Sequence, residues 1–189
     1  TTPDASLCFG SFDTVCFSTL ADLPKAPMML VDDLTIDTGS STMCDQHNDQ
    51  MNAYCVIAGT SFTLSTGKTL RAYGSKPLIL LSTSTMTLQG SSTIDVRSTS
   101  TVDPHPTGAG ANPAKCMSGT SPEMFGGGGG GSFGGKGGNG ERAIGAAPTS
   151  GVAAPALTSP AQLRGGCPGG DGDATGGLGG SGGGAVALI

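Results

Sequence analysis

The chain has 189 residues, a net charge of −5 and only 12% charged residues, so a nucleic-acid partner held by a basic patch is excluded. Its length suits one domain, or one domain with an extension, and no stretch is long and apolar enough to span a membrane as a helix. Of its 34 glycines, 25 follow Phe125, so the second part of the chain cannot build a core in the way the first part does.

In chain order, residues 1–54 read as an N-terminal, disulfide-stapled β segment. Thr1 reads as a mature N-terminus after removal of a leader. Six cysteines (Cys8, Cys16, Cys44, Cys55, Cys116 and Cys167) form no C-x-x-C pair, which fits disulfides and an oxidising compartment better than zinc. Proximity selects Cys8 with Cys16, Cys44 with Cys55, and Cys116 with Cys167, one connectivity among several. The last pair would clamp the glycine-rich region, which cannot otherwise offset its chain entropy.

Residues 27–31 and 34–36 read as strands, followed by a GSST turn at 39–42. Asp37-Thr38-Gly39-Ser40 matches the loop around the catalytic aspartate of pepsin-like proteases. That chemistry needs a second such loop sharing one proton, and the chain has no other Asp-(Ser/Thr)-Gly. Asp45, His47, Asn48 and Asp49 lie between Cys44 and Cys55, and one histidine in a short loop reads as a solvated turn rather than a metal site. The other histidine, His105, lies between prolines in an extended connector, so no Ser-His-Asp triad is expected.

Residues 55–115 read as β coils and a Pro-rich connector, with short strands at 61–64, 69–73, 78–81, 85–88 and 93–96. Regular short strands suit a sandwich, a barrel or a solenoid. A repeat selects among them: 27–31, 34–36 and 39–42 align with 77–81, 85–88 and 90–93. A third, partial copy is Ala185, Val186, Ala187, Leu188 and Ile189, which matches only the opening strand. The hydroxyl rows at 82–87 and 98–101 suit a ladder on one face, of the kind that stacks coils or binds glycan or ice.

Residues 116–184 are glycine-rich, without the strict period of collagen. Residues 135–140 satisfy G-x-G-x-x-G, but no helix follows to bind a phosphate. Residues 169–174 approach a β-roll calcium repeat in a single copy, with alanine in place of its sixth-position aspartate. The tract suits a flexible linker or, favoured by the flanking Cys116 and Cys167 and the apolar end, extended polyglycine-II-like packing, ending in the 185–189 strand as an anchor folded back or offered to a neighbour.

Residues 68–81 with 92–96 resemble right-handed parallel β-helix surface proteins. The GGGGGGSFGGKGGNG run is similar to insertions in uncharacterised secreted glycine-rich proteins of myxobacteria-like bacteria. The resemblance implies a strand like 185–189 after the insertion, followed by further coils, and implies no activity.

The expected fold is therefore all-β, a short parallel β-solenoid with a polyglycine-II-like extension, the alternative being a β-sandwich. The expected function is structural: a self-assembling subunit of an extracellular filament, sheath or surface layer, secreted or on the cell surface. It would have no catalytic residue, metal or cofactor, and its assembly strand would be Ala185 to Ile189. The alternatives are a monomeric adhesin binding surface glycan or ice, and a fragment of a polysaccharide-active β-helix enzyme using Asp95 and Arg97.

Overall fold

The computed structural model describes residues 7–44, 48–49, 51–99, 107–113, 116–123, 126–141, 150–157, 160–173 and 177–189. Apolar and hydroxyl-rich stretches form nine strands among these. They are β1 (Leu7–Phe9), β2 (Val15–Phe17), β3 (Met28–Leu30), β4 (Leu34–Asp37), β5 (Cys55–Leu64), β6 (Thr69–Tyr73), β7 (Leu78–Leu88), β8 (Thr93–Asp95) and β9 (Val186–Leu188). The chain is all-β, with no helix among the described residues.

β1 and β2 make an antiparallel hairpin in which Cys8 and Cys16 face each other and are bonded. The remaining strands form two sheets, in the orders β3-β5-β7-β9 and β4-β6-β8, and every pairing in them is parallel. Successive strand pairs therefore lie in tiers: β3 with β4, β5 with β6, β7 with β8, and then β9. The first sheet draws strands from the N-terminal segment, the central segment and the chain's last residues.

Registry stacks like on like. Met28, Phe62 and Met86 form one inward column, and Leu30, Leu64 and Leu88 form another. Leu34, Leu70 and Ile94 form a third in the other sheet. A core of Leu30, Ile36, Ile57, Phe62, Leu64, Leu70, Leu78 and Leu80 fills the space these columns share. Each fully buried side chain of this type contributes about 1.5–3 kcal/mol. A second core lies on the opposite face of the first sheet, where Val15 and Phe17 of the hairpin cover Val56, Ile79 and Leu81. Residues 78–81 are thus buried on both faces, which is why they read as an unbroken apolar run.

Two strand boundaries differ from the sequence reading. β5 begins at Cys55 rather than residue 61, because Val56 and Ile57 are buried on opposite faces and Gly59 fits against the Met28 backbone. The strands expected at 78–81 and 85–88 are one strand, β7, with a register shift opposite Gly59 and Ser61. There the Ser82 hydroxyl donates to the Thr85 carbonyl (2.8 Å) and bridges the irregularity.

The repeat is also re-registered. It placed Met28 opposite Leu78, whereas the sheet places Met28 level with Met86, two tiers away. The two GSST turns are not equivalent: one follows β4, and the other joins β7 to β8. The third copy pairs as aligned, with Val186 on Leu78 and Leu188 on Leu80.

The glycine-rich residues form extended segments bonded to one another. Gly166, Gly169 and Gly172 N–H groups donate to the carbonyls of Gly183, Gly180 and Gly177 (2.8, 2.9 and 2.9 Å). Gly127 and Gly130 donate likewise to Glu141 and Gly138 (2.9 and 2.8 Å). This spacing of three matches the three residues per turn of a polyproline-II helix. Segment 126–131 contacts others around its axis: Gly129 N–H donates to Thr120, and the Gly129 carbonyl accepts from Gly170. Close approach, not an unusual φ, demands glycine at Gly129, where a methyl group would overlap the Val152 carbonyl. Cys116–Cys167 ties segment 165–173 to the first residues of the tract.

Candidate functional site

Among the described residues, the outer side of β7 and β8 is only partly covered. β9 covers only the first part of β7: Leu78 N–H donates to Ala185, Ser82 N–H donates to Ile189, and Ile189 N–H donates back to Leu80 (3.0, 2.8 and 3.0 Å). Among the described residues, no strand pairs with the outer side of residues 83–88 or of β8. The inward columns end here. Along one of them, Leu30 is 8% exposed and Leu64 0%, but Leu88 is 45% exposed. Met86 and Ile94 end their columns half-buried. These three side chains were not singled out in the sequence, although the alternation through residues 85–88 and 93–96 carries them.

Charges border the open side. The Arg71 guanidinium donates to Asp95 Oδ1 (3.0 Å), and Arg97 Nε lies 3.2 Å from Asp95 Oδ2. Arg97 N–H also donates to Asp95 Oδ1 (3.1 Å), so this carboxylate holds the strand end in place. The strand expected to complete a neighbour, Ala185 to Ile189, is paired within its own chain, because Val186 and Leu188 continue the columns of Leu78 and Leu80.

The other sequence candidates have structural partners. Asp37 Oδ1 accepts from Gly39 N–H (2.8 Å) and Oδ2 from the Ser40 hydroxyl (3.0 Å), an Asx turn closing the end of β4. Asp49 accepts from Cys16 N–H (2.8 Å), and Asn48 is buried in a bridge to Phe17. Asp45, His47 and His105 lie outside the described residues. In the GxGxxG match, Gly137 N–H donates to the Ser132 hydroxyl (3.0 Å) and Asn139 accepts from Ala153 (2.9 Å). Asp171 accepts from Gly179 N–H (2.7 Å), and Ala174 of the calcium-like stretch lies outside the described residues. Among the described residues, no group of three or more His, Cys, Asp or Glu side chains could hold a metal. In the hydroxyl rows, Thr83, Ser84, Thr85 and Thr87 are exposed, while the Ser98 hydroxyl donates to Gly182.

Two further groups had no signal in the sequence. Asp13, buried beside the hairpin, accepts from the Tyr54 hydroxyl (2.7 Å) and from Leu163 N–H (2.8 Å), joining hairpin, sheet and glycine-rich tract. Burial, then the hydrogen bond to Asp13 and its negative charge, push the Tyr54 phenol well above its ordinary value. The Arg164 guanidinium rests on the Cys116–Cys167 disulfide, 3.3 and 3.5 Å from its two sulfurs.

Three disulfides, Cys8–Cys16, Cys44–Cys55 and Cys116–Cys167, use every cysteine and fit an oxidising compartment. No helix among the described residues is long and apolar enough to cross a membrane. No family model matches the chain, and no curated protein or solved structure matches it.

Proposed function

We propose that the chain is a structural subunit of an extracellular filament, sheath or surface layer, built as a short parallel β-solenoid beside a polyglycine-II-like bundle. Parallel pairing throughout both main sheets supports a solenoid over a sandwich, whose sheets are antiparallel. The resemblance to β-helix surface proteins and to secreted glycine-rich proteins points the same way. The observation that carries the assembly reading is the β3 edge, where Met29 is 62% exposed and no described strand pairs with its outer side. A solenoid ends either in a polar cap or in a neighbour, and an apolar, unpaired end favours the neighbour. Such contacts are head-to-tail and do not close, so they give fibres.

Electron microscopy of the purified chain tests this. Filaments or sheets that lengthen with concentration are expected. Dispersed monomers that bind glycan or ice would replace this reading with the second one, a binding module, which the exposed hydroxyls of Thr83, Ser84, Thr85 and Thr87 favour.

A further inference from the structure

We propose that the Cys116–Cys167 disulfide, with Arg164 laid across it, is an exchange site for small anionic thiols, which attach at Cys116 and release Cys167 as a thiolate. This chemistry does not depend on assembly, and it gives the clamp on the glycine tract a reaction of its own.

The guanidinium is the first ground. Arg164 Nη2 lies 3.3 Å from Cys116 Sγ and 3.5 Å from Cys167 Sγ, within reach of both. A neutral sulfur is a weak acceptor, so these contacts alone satisfy a cation poorly. Arg164 Nε is buried, and no described atom accepts its proton. No ion pair among the described residues includes Arg164, whereas Arg71 and Arg97 both reach Asp95. A half-buried guanidinium without a described carboxylate partner suits a sulfur that carries negative charge. Cleavage of the disulfide creates that charge.

Access selects the sulfur that is attacked. Cys167 is 9% exposed, while Cys116 is half-buried and is followed by the exposed Met117 and Ser118. The incoming thiolate bonds to Cys116 Sγ, the Sγ–Sγ bond breaks, and its electron pair leaves on Cys167 Sγ beside Arg164. A second thiolate attacks the outer sulfur of the mixed disulfide, giving a small-molecule disulfide and a Cys116 thiolate. Two small thiols are thereby oxidised, the protein disulfide is reduced, and the two protons end on the two cysteines. Arg164 favours the first step twice, by attracting an anionic thiol and by stabilising the leaving thiolate. Cys44–Cys55 is the contrast: its cysteines are 5% and 0% exposed and belong to the core of the tiers.

The backbone makes the exchange reversible. Asn112 N–H donates to the Gly166 carbonyl (3.0 Å), and Gly119 N–H donates to the Pro168 carbonyl (3.2 Å), one bond on each side of the disulfide. Gly165 N–H adds a bond to the Gly110 carbonyl (3.1 Å). These bonds keep the two cysteines close after cleavage, so the Cys167 thiolate expels an attached thiol and the disulfide re-forms. While it is open, the tract loses its covalent constraint, and the level of small thiols sets how firmly the tract is held.

The test uses the 189-residue chain and three probes: anionic mercaptoethanesulfonate, neutral mercaptoethanol and cationic cysteamine. Each rate is divided by the same probe's rate with a small neutral disulfide. Iodoacetamide caps the freed thiol, and peptide mass mapping gives the rate at each disulfide and the position of the adduct. Cys116–Cys167 should react at least about tenfold faster than Cys44–Cys55, with the adduct on Cys116. The order should be anionic, neutral, cationic, and high salt should compress it. Arg164→Gln should slow the reaction roughly tenfold and erase the order, while Arg164→Lys, which keeps the charge, should retain it. Hydrogen exchange at Gly166 and Gly169 verifies that the tract stays folded in each variant. Should Arg164→Gln lose that protection, the wild-type order of probes and its compression by salt decide the matter without a variant. A wild type indifferent to thiol charge, an adduct on Cys167, or an unchanged or faster reaction in folded Arg164→Gln overturns the exchange site.

Discussion

Tyr54 and Asp13 show how one buried pair fixes three parts of the chain. The carboxylate accepts from the phenol and from Leu163 N–H, so no water is needed to satisfy either oxygen. Because the folded state raises the phenol's affinity for its proton, it holds more protons than the unfolded chain above about pH 10. This contribution is fully present below that pH and is lost as pH rises beyond it. Tyr54→Phe should cost about 1–3 kcal/mol at neutral pH, since Asp13 keeps its burial but loses a donor. It should also flatten the decline of stability between pH 9 and 12 (roughly the range over which an unshifted tyrosine titrates). Urea titrations across that range check both effects, and an unchanged slope in the variant would assign the decline to other groups. Asp37 shows the reverse case. Its local sequence resembles a catalytic loop, yet both oxygens serve a turn, which one tetrapeptide cannot reveal without its partner loop.

At the scale of elements, the glycines fall into two kinds that composition does not separate. An added methyl on Gly182 would overlap the Gly166 carbonyl, whereas one on Gly180 meets nothing within 4 Å. Gly182→Ala should therefore destabilise the tract by about 1–3 kcal/mol. Gly180→Ala should be neutral or stabilise by about 0.4–1 kcal/mol, because neither residue has a left-handed φ and alanine restricts the unfolded chain. Thermal melts of the two variants check this, and equal losses would mean that the tract is not packed through Gly182. The strands were legible where alternation was clean, as in β6 and β8, and less so where burial was two-sided. Residues 55–59 lacked alternation because hairpin and core cover opposite faces, and so the start of β5 was missed. The repeat failed in register for a related reason: β3 spans only part of the sheet's width, so a matching apolar run aligned it with the wrong part of β7.

The whole molecule joins two modes of packing, side chains in the tiers and main chain in the glycine tract, and each needs a different constraint. The tiers bury columns of Leu, Phe and Met and are held by that burial. The tract buries little apolar surface, so its order depends on its hydrogen bonds, on the seam along Gly108 and Gly184 beside Val96, and on the Cys116–Cys167 link. That link closes a loop with a sequence separation of 51, for which chain entropy gives about 4 kcal/mol of stabilisation as an upper value. Replacing Cys116 and Cys167 together by Ala should loosen the tract before the tiers. Hydrogen exchange is the direct measure: the amides of Gly166, Gly169 and Gly170 should lose protection, while those of Ile57 and Leu80 keep it. Protection lost equally in both regions would make tract and tiers one cooperative unit. In that case the tract would be an integral wall of the tiers, and trimming it should abolish folding rather than merely expose one side of β9.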